Sequence, residues 1–229
     1  MKKAAILITV LITALSFLPM QARASAIEEE NKVLDSLEAF EQVMEIPEQG
    51  IPPALLNNAE GIAIIPNVIK AAFILGGRYG TGVVMLREEK NEWSNPLFIS
   101  ITGGSIGWQI GAQSTDIILV FKSRRGVENI VNGKFTLGAD ASIAAGPVGR
   151  HAEAGTDIQL KAEIYSYSRS KGLFAGISLE GASLQVDYDS LESFYGRGVT
   201  PREVFSDKDI MVPDVAKRPK KAVGKYTAQ

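Results

Sequence analysis

Hydrophobic positions along the chain change their period twice. Ala4 to Leu18 is uncharged and mostly apolar. From Ile27 to Ile46, Val33, Leu34, Leu37, Phe40, Val43 and Met44 recur every three or four residues, which predicts one amphipathic helix. Glu28, Glu29, Glu30, Asp35, Glu38, Glu41 and Glu45 take the remaining positions. The early acids suit the positive end of a helix dipole. Pro47 and Gly50 stop this helix, and Pro52-Pro53 starts a short one through Asn58, proline being tolerated in a first turn.

From Gly61 the pattern becomes that of strands. Ile62 to Ile65 is a short continuous apolar run, as in a buried strand, while Val68 to Leu75 fits either a helical turn or a strand. Tyr79 to Leu86 and Leu97 to Thr102 read as strands, and Arg87 to Asn95 as a polar turn. Ile106, Trp108 and Ile110 alternate with Gly107, Gln109 and Gly111, the two-residue period of a half-buried strand. Thr115 to Phe121 is again continuous and apolar. Ser123 is placed to cap a short helix that Gly133 ends. Strands follow over 135–144, 162–168, 173–179 and 182–186, and Asp189 can cap a last helix, Ser190 to Tyr195.

About eight strands with few long helices exclude a βαβ architecture and favour antiparallel pairing. Glycines at 107, 111, 138 and 176 lie inside strands, where glycine marks bulges, bends or close backbone approach. The expected fold is therefore α+β and mainly antiparallel: a bent, glycine-rich sheet or small barrel with covering helices.

The ends qualify this picture. Lys2 and Lys3 precede the apolar run, and Ala22-Arg23-Ala24 and Ala24-Ser25-Ala26 both supply small residues for a cut after Ala24 or Ala26, so residues 1–24 read as a signal peptide. The run is shorter than the ~20 residues a spanning helix needs. The expected location is the periplasm or outside the cell, with peripheral membrane association. Removing Lys2, Lys3 and Arg23 leaves 21 basic against 26 acidic residues, a net charge of -5. Such a chain is a poor generic ligand for nucleic acid, so anion binding must come from a local patch. Residues 25–205 form one expected domain. Residues 206–229 carry Pro213, Pro219 and the run Lys217-Arg218-Pro219-Lys220-Lys221, and read either as a solvated tail or as an electrostatic tether to anionic lipid.

Catalytic chemistry is hard to find. The sequence has no cysteine and one histidine, His151, in a loop with no nucleophile elbow to serve. Too few His and Cys ligands exist for zinc, and no acid pair lies in an EF-hand loop. Gly77-Arg78-Tyr79-Gly80-Thr81-Gly82 reverses the dinucleotide fingerprint and precedes a strand, so it reads as a glycine-rich bend. No cofactor and no metal are expected.

Basic residues remain. Lys122, Arg124 and Arg125 lie together at the start of the short helix, Arg169 and Lys171 lie beside Tyr165 and Tyr167, and Arg78 and Arg150 sit in glycine-rich turns. If the strands bring these turns to one rim, they form a cationic patch for phosphate. Otherwise they are separately solvated turns.

Two stretches carry a resemblance. Tyr165 to Gly181 reads YSYSRSKGLFAGISLEG, and Gly61-Ile62-Ala63-Ile64-Ile65-Pro66 is followed by the glycines from Gly76 to Gly82. Both resemble motifs of the SYLF family, lipid-binding domains of bacteria and eukaryotes, over roughly Glu38 to Phe205. The resemblance implies a non-catalytic module for phospholipid headgroups, with Arg169, Lys171, Tyr165, Tyr167, Lys122, Arg124, Arg125 and Arg78 as its candidate contacts. Family members are described as binding phosphoinositides, and some fungal relatives as binding actin filaments. Some eukaryotic relatives use a basic N-terminal helix at the membrane. Here that helix is acidic, with Lys32 its only cation, and its polar face would repel anionic lipid. Together with the export signal, this turns the expected partner toward anionic bacterial phospholipid or an envelope protein. A carrier with an apolar ligand inside a barrel, and a structural domain of the envelope, are the alternatives.

Overall fold

The computed structural model describes residues 25–46, 50–72, 75–88, 92–106, 111–147, 161–170, 173–174, 178–206 and 210–227. A helix over 25–44, α1, precedes α2 (Pro53–Asn57). Four long strands follow: β1 (Gly61–Ala72), β2 (Leu75–Leu86), β3 (Leu97–Ile106) and β4 (Gly111–Phe121). After α3 (Arg124–Val131) come β5 (Phe135–Thr136), β6 (Ile143–Ala145), β7 (Ile164–Ser170), β8 (Leu173–Phe174) and β9 (Ser183–Val186). The chain closes with α4 (Tyr188–Tyr195), α5 (Pro201–Ser206), a 3-10 turn (Asp214–Ala216) and α6 (Lys217–Thr227).

The strands form one curled sheet in the order β5-β9-β3-β2-β1-β4-β7-β6, with β8 paired to β7. All pairings are antiparallel except β6 with β7. β5 and β6 are the two ends of this order, so the described strands make an open half-barrel, one of the two expected forms.

The continuous apolar runs sit in the middle because both sheet faces are covered. Ile62, Ile64, Ile118 and Val120 pack with Phe40 and Val43 of α1, Leu55 and Leu56 of α2, and Val223 of α6. Ala63, Ile65, Ile117, Leu119 and Phe121 pack with α3, α4 and α5 through Val127, Ile130, Leu191, Phe194, Val204 and Phe205. Each fully buried Ile or Phe contributes about 1.5–3 kcal/mol.

β1 carries a bulge. Between Ile65 and Val68 it holds one residue more than β4, and Asn67 takes φ 51°. The displaced backbone presses on β2, where a Cβ on Gly82 would lie 2.2 Å from the Ile64 carbonyl oxygen. Gly80 is similarly crowded by the Val68 side chain, at 2.8 Å. The glycine-rich stretch is therefore strand β2 itself, where the expected bend would have preceded a strand.

Three other expectations change. The strand expected over 135–144 is two short pieces, because Gly138 turns the chain at φ 85°. The last predicted helix is capped by Asp187, whose carboxylate accepts from the Ser190 N–H at 3.1 Å and the Ser190 hydroxyl at 2.8 Å; Asp189 lies inside the first turn. The segment read as a solvated tail or a tether holds a helix, α6, which buries Pro219, Val223 and Thr227. The alternation over 107–110 and most of the 173–179 stretch lie outside the described residues.

Candidate functional site

The sequence candidates fall into three places. Arg169 ends its row on β7, opposite Asp116 of β4. Its Nη1 stands 3.4 Å from Asp116 Oδ2 and also donates to the Gln42 side chain of α1. Asp116 in turn accepts the Asn67 N–H at 3.0 Å. Arg169 thus ties the β1 bulge and α1 to the sheet, and its charge is matched by a carboxylate.

Tyr165 and Tyr167 lie under the helices, 2% and 1% exposed. The Tyr167 hydroxyl donates to the Pro147 carbonyl at 3.1 Å, and that of Tyr165 accepts the Ala162 N–H at 3.0 Å. Burial raises the pKa of both phenols above its ordinary value. Neither ring is available to a headgroup at the surface. Lys171, Arg150 and His151 lie outside the described residues.

Arg78 occupies β2 with Lys70 and Gly103 as its strand neighbours. It is half-buried, donates to the Ser178 carbonyl at 2.8 Å, and burial lowers its pKa from the ordinary guanidinium value. β1 and β4 separate it from β7, so Arg78 and Arg169 stand about 14 Å apart across the sheet and about 10 Å apart along it. The single rim that would gather all the candidates is not formed.

Lys122, Arg124 and Arg125 do stay together, all exposed, where β4 runs into α3. This is the sheet end defined by Gly61, Leu86 and Phe121, which are in register. It lies about 17 Å along β4 from the Asp116 level. Arg124 donates to the Arg87 carbonyl at 3.1 Å and pairs with Glu128 at 3.4 Å.

More cations reach this end than the sequence reading assigned. Asn95, 1% exposed, donates to the Val204 carbonyl of α5 and accepts from Lys220 of α6 at 3.0 Å. Trp93 donates to the Thr227 hydroxyl at 3.2 Å. α5 and α6 are thereby held beside the Leu86 end of the sheet. α6 reads KRPKKAVGKYT, with five cations and no acid. Pro219, Val223 and Thr227 face the core at four-residue spacing, and Lys217, Arg218, Lys221 and Lys225 face solvent. That spacing was the available signal; the two helix-breaking residue types, Pro219 and Gly224, obscured it.

A family profile described as "Ysc84: Las17-binding protein actin regulator" matches residues 102–226, more than half of the chain and through α6. The chain belongs to the Ysc84, or SYLF, family. A Schizosaccharomyces pombe SH3 domain-containing protein is 41% identical over 159 residues, 68% of this chain and 37% of that protein. Protein YSC84 of Saccharomyces cerevisiae is 37% identical over 172 residues, 74% of this chain and 36% of that protein. SH3 domain-containing YSC84-like protein 1 of Xenopus laevis is 38% identical over 152 residues, 66% and 45% respectively. The chain spans between about a third and a half of these relatives' lengths. The Ysc84 match continues beyond Phe205 and takes in most of α6.

Proposed function

We propose that this Ysc84-family chain is a non-catalytic module that docks on anionic phospholipid surfaces of the bacterial envelope, with α6 as its contact element. One observation carries the proposal: a helix without acids is fixed to the core by its buried stripe and turns four of its five cations outward, Lys217 beside Asp214 and Arg218, Lys221 and Lys225 along the helix. Each Lys or Arg near such a surface contributes about 1 kcal/mol, so the α6 face supplies a few kcal/mol. That is weak and reversible association, strengthened by Lys122, Arg124 and Arg125 at the same end of the sheet. α1 lies beside α6, with Phe40 and Tyr226 in edge contact at 5.7 Å, and its exposed Glu38, Glu41 and Glu45 oppose the attraction. The envelope location rests on the leader-like residues 1–24, which lie outside the described residues. Arg169, Tyr165 and Tyr167 take structural roles in this account. Co-sedimentation with phosphatidylglycerol vesicles over a salt series tests the proposal: binding at low salt must fall as screening grows, and protein left in the supernatant at low salt refutes it.

A second reading is docking of a protein. Tyr79 and Tyr188, 57% and 59% exposed, border a hollow of about 490 Å³ between β2, β9 and α4. Exposed tyrosines of this kind are enriched where proteins meet. The family's description, Las17-binding protein actin regulator, names protein partners for its members. Tyr79→Ala with Tyr188→Ala must then abolish partner capture while leaving vesicle binding intact.

A further inference from the structure

The geometry points to a binding site for a zwitterionic phosphate–amine group, of the phosphoethanolamine type, in the cavity between α3, α5 and the end of β2. The cavity measures about 430 Å³, within the range of small-ligand sites. Three stretches distant in sequence build it. Leu86 and Phe205, both nearly buried, form an apolar wall. Arg124 and Glu128 come from α3, Arg202 from α5, and Glu88 follows β2.

Charge selects the ligand. The described charged lining residues are two guanidinium groups and two carboxylates. A lone anion would meet Glu88 and Glu128, and a lone cation would meet Arg124 and Arg202. Arg124 and Glu128 already pair at 3.4 Å, so a net-neutral ligand carrying both signs answers the remaining two, Arg202 and Glu88. Guanidinium is suited to phosphate by its fork of donors, and a carboxylate accepts from an ammonium group. Arg202 carries no ion pair among the described residues, and so is the group first available to a phosphate. Arg124 is fixed by the Arg87 carbonyl and Glu128. The apolar wall beside the charges accommodates the first carbons of an attached chain.

Such chemistry comes from two sources, a phospholipid headgroup or a soluble phosphate–amine metabolite. The lipid source rests on the reading given under Proposed function; the cavity's chemistry does not. The test is titration of the ¹⁵N-labelled protein with O-phosphoethanolamine, inorganic phosphate and ethanolamine, alongside vesicle sedimentation. Saturable shifts at α3 and α5 are expected with O-phosphoethanolamine, with affinity at least about tenfold above that for either fragment. Arg202→Gln and Glu88→Gln, both surface changes, are each expected to weaken it by about tenfold. Equal response to phosphate alone, or no response, overturns the site. Phosphatidylethanolamine added at constant phosphatidylglycerol content separates the sources: increased binding that Arg202→Gln removes assigns the lipid, and no increase assigns the soluble ligand. If phosphatidylglycerol vesicles fail to bind while the O-phosphoethanolamine titration succeeds, the surface reading fails and the cavity stands.

Discussion

Asp116 and Arg169 face one another across β4 and β7, and the carboxylate that holds the arginine also accepts the N–H of the bulge residue Asn67. Arg169, one of the two basic residues of the signature stretch, is thus part of a chain from the β1 bulge through the sheet to Gln42 of α1. Arg169→Gln is expected to cost about 2 kcal/mol in denaturant unfolding, the scale of a charge-assisted hydrogen bond lost in a half-buried site. Vesicle binding by the folded fraction is expected to stay unchanged. A coupling energy near zero between Arg169→Gln and Gln42→Ala would remove the link to α1.

Gly82→Ala places a methyl group against the bulge, 2.2 Å from one backbone oxygen and 2.7 Å from the Ile65 Cα. Backbone cannot yield as a side chain can, so a loss of about 3 kcal/mol or more is expected. Gly77→Ala on the same strand meets nothing nearer than 3.9 Å and serves as the control. Thermal unfolding of the two variants separates the bulge from a general glycine requirement.

The buried phenols give the fold an alkaline limit. Desolvation raises the pKa of Tyr165 and Tyr167 in the folded state, Tyr167 further than Tyr165. Their favourable contribution is full below the unfolded value, about 10, and is lost as pH climbs from there through the raised folded values. Unfolding midpoints are expected to fall above about pH 10, with a shallower fall in Tyr167→Phe. That variant also loses the hydrogen bond to the Pro147 carbonyl, worth about 1 kcal/mol at neutral pH. Equal slopes above pH 10 would contradict the assignment.

The runs at Ile62–Ile65 and Ile117–Phe121 disclosed the central strands in the sequence, because a strand covered on both faces needs no alternation. The bulge was not legible. The positive φ of Asn67 depends on a carboxylate 49 residues away. α6 was hidden for a similar reason: Pro219, Val223 and Thr227 make a thin buried stripe whose partners, Trp93 and Phe40, lie far off in the chain. The candidate cations were visible as residue types. Only the register, which sets Lys122 and Arg124 beyond Phe121 and pairs Arg169 with Asp116, decides which of them share a surface.

Val223→Asp tests the docking of α6 on its own. A carboxylate at this position, 0% exposed, would stand unpaired beside Phe40 and Trp93. Loss of amide-exchange protection across 217–227, with the central strands still protected, is expected. Unchanged protection would show that the apolar stripe does not hold the helix.

The most direct test of the lipid-surface proposal is sedimentation of the triple variant Arg218→Glu, Lys221→Glu, Lys225→Glu with phosphatidylglycerol vesicles at low salt, beside the native chain. These positions face solvent, so the fold should persist by circular dichroism. The account predicts that the native chain pellets and is released by salt, while the variant stays in the supernatant. A variant that pellets as well as the native chain would contradict it.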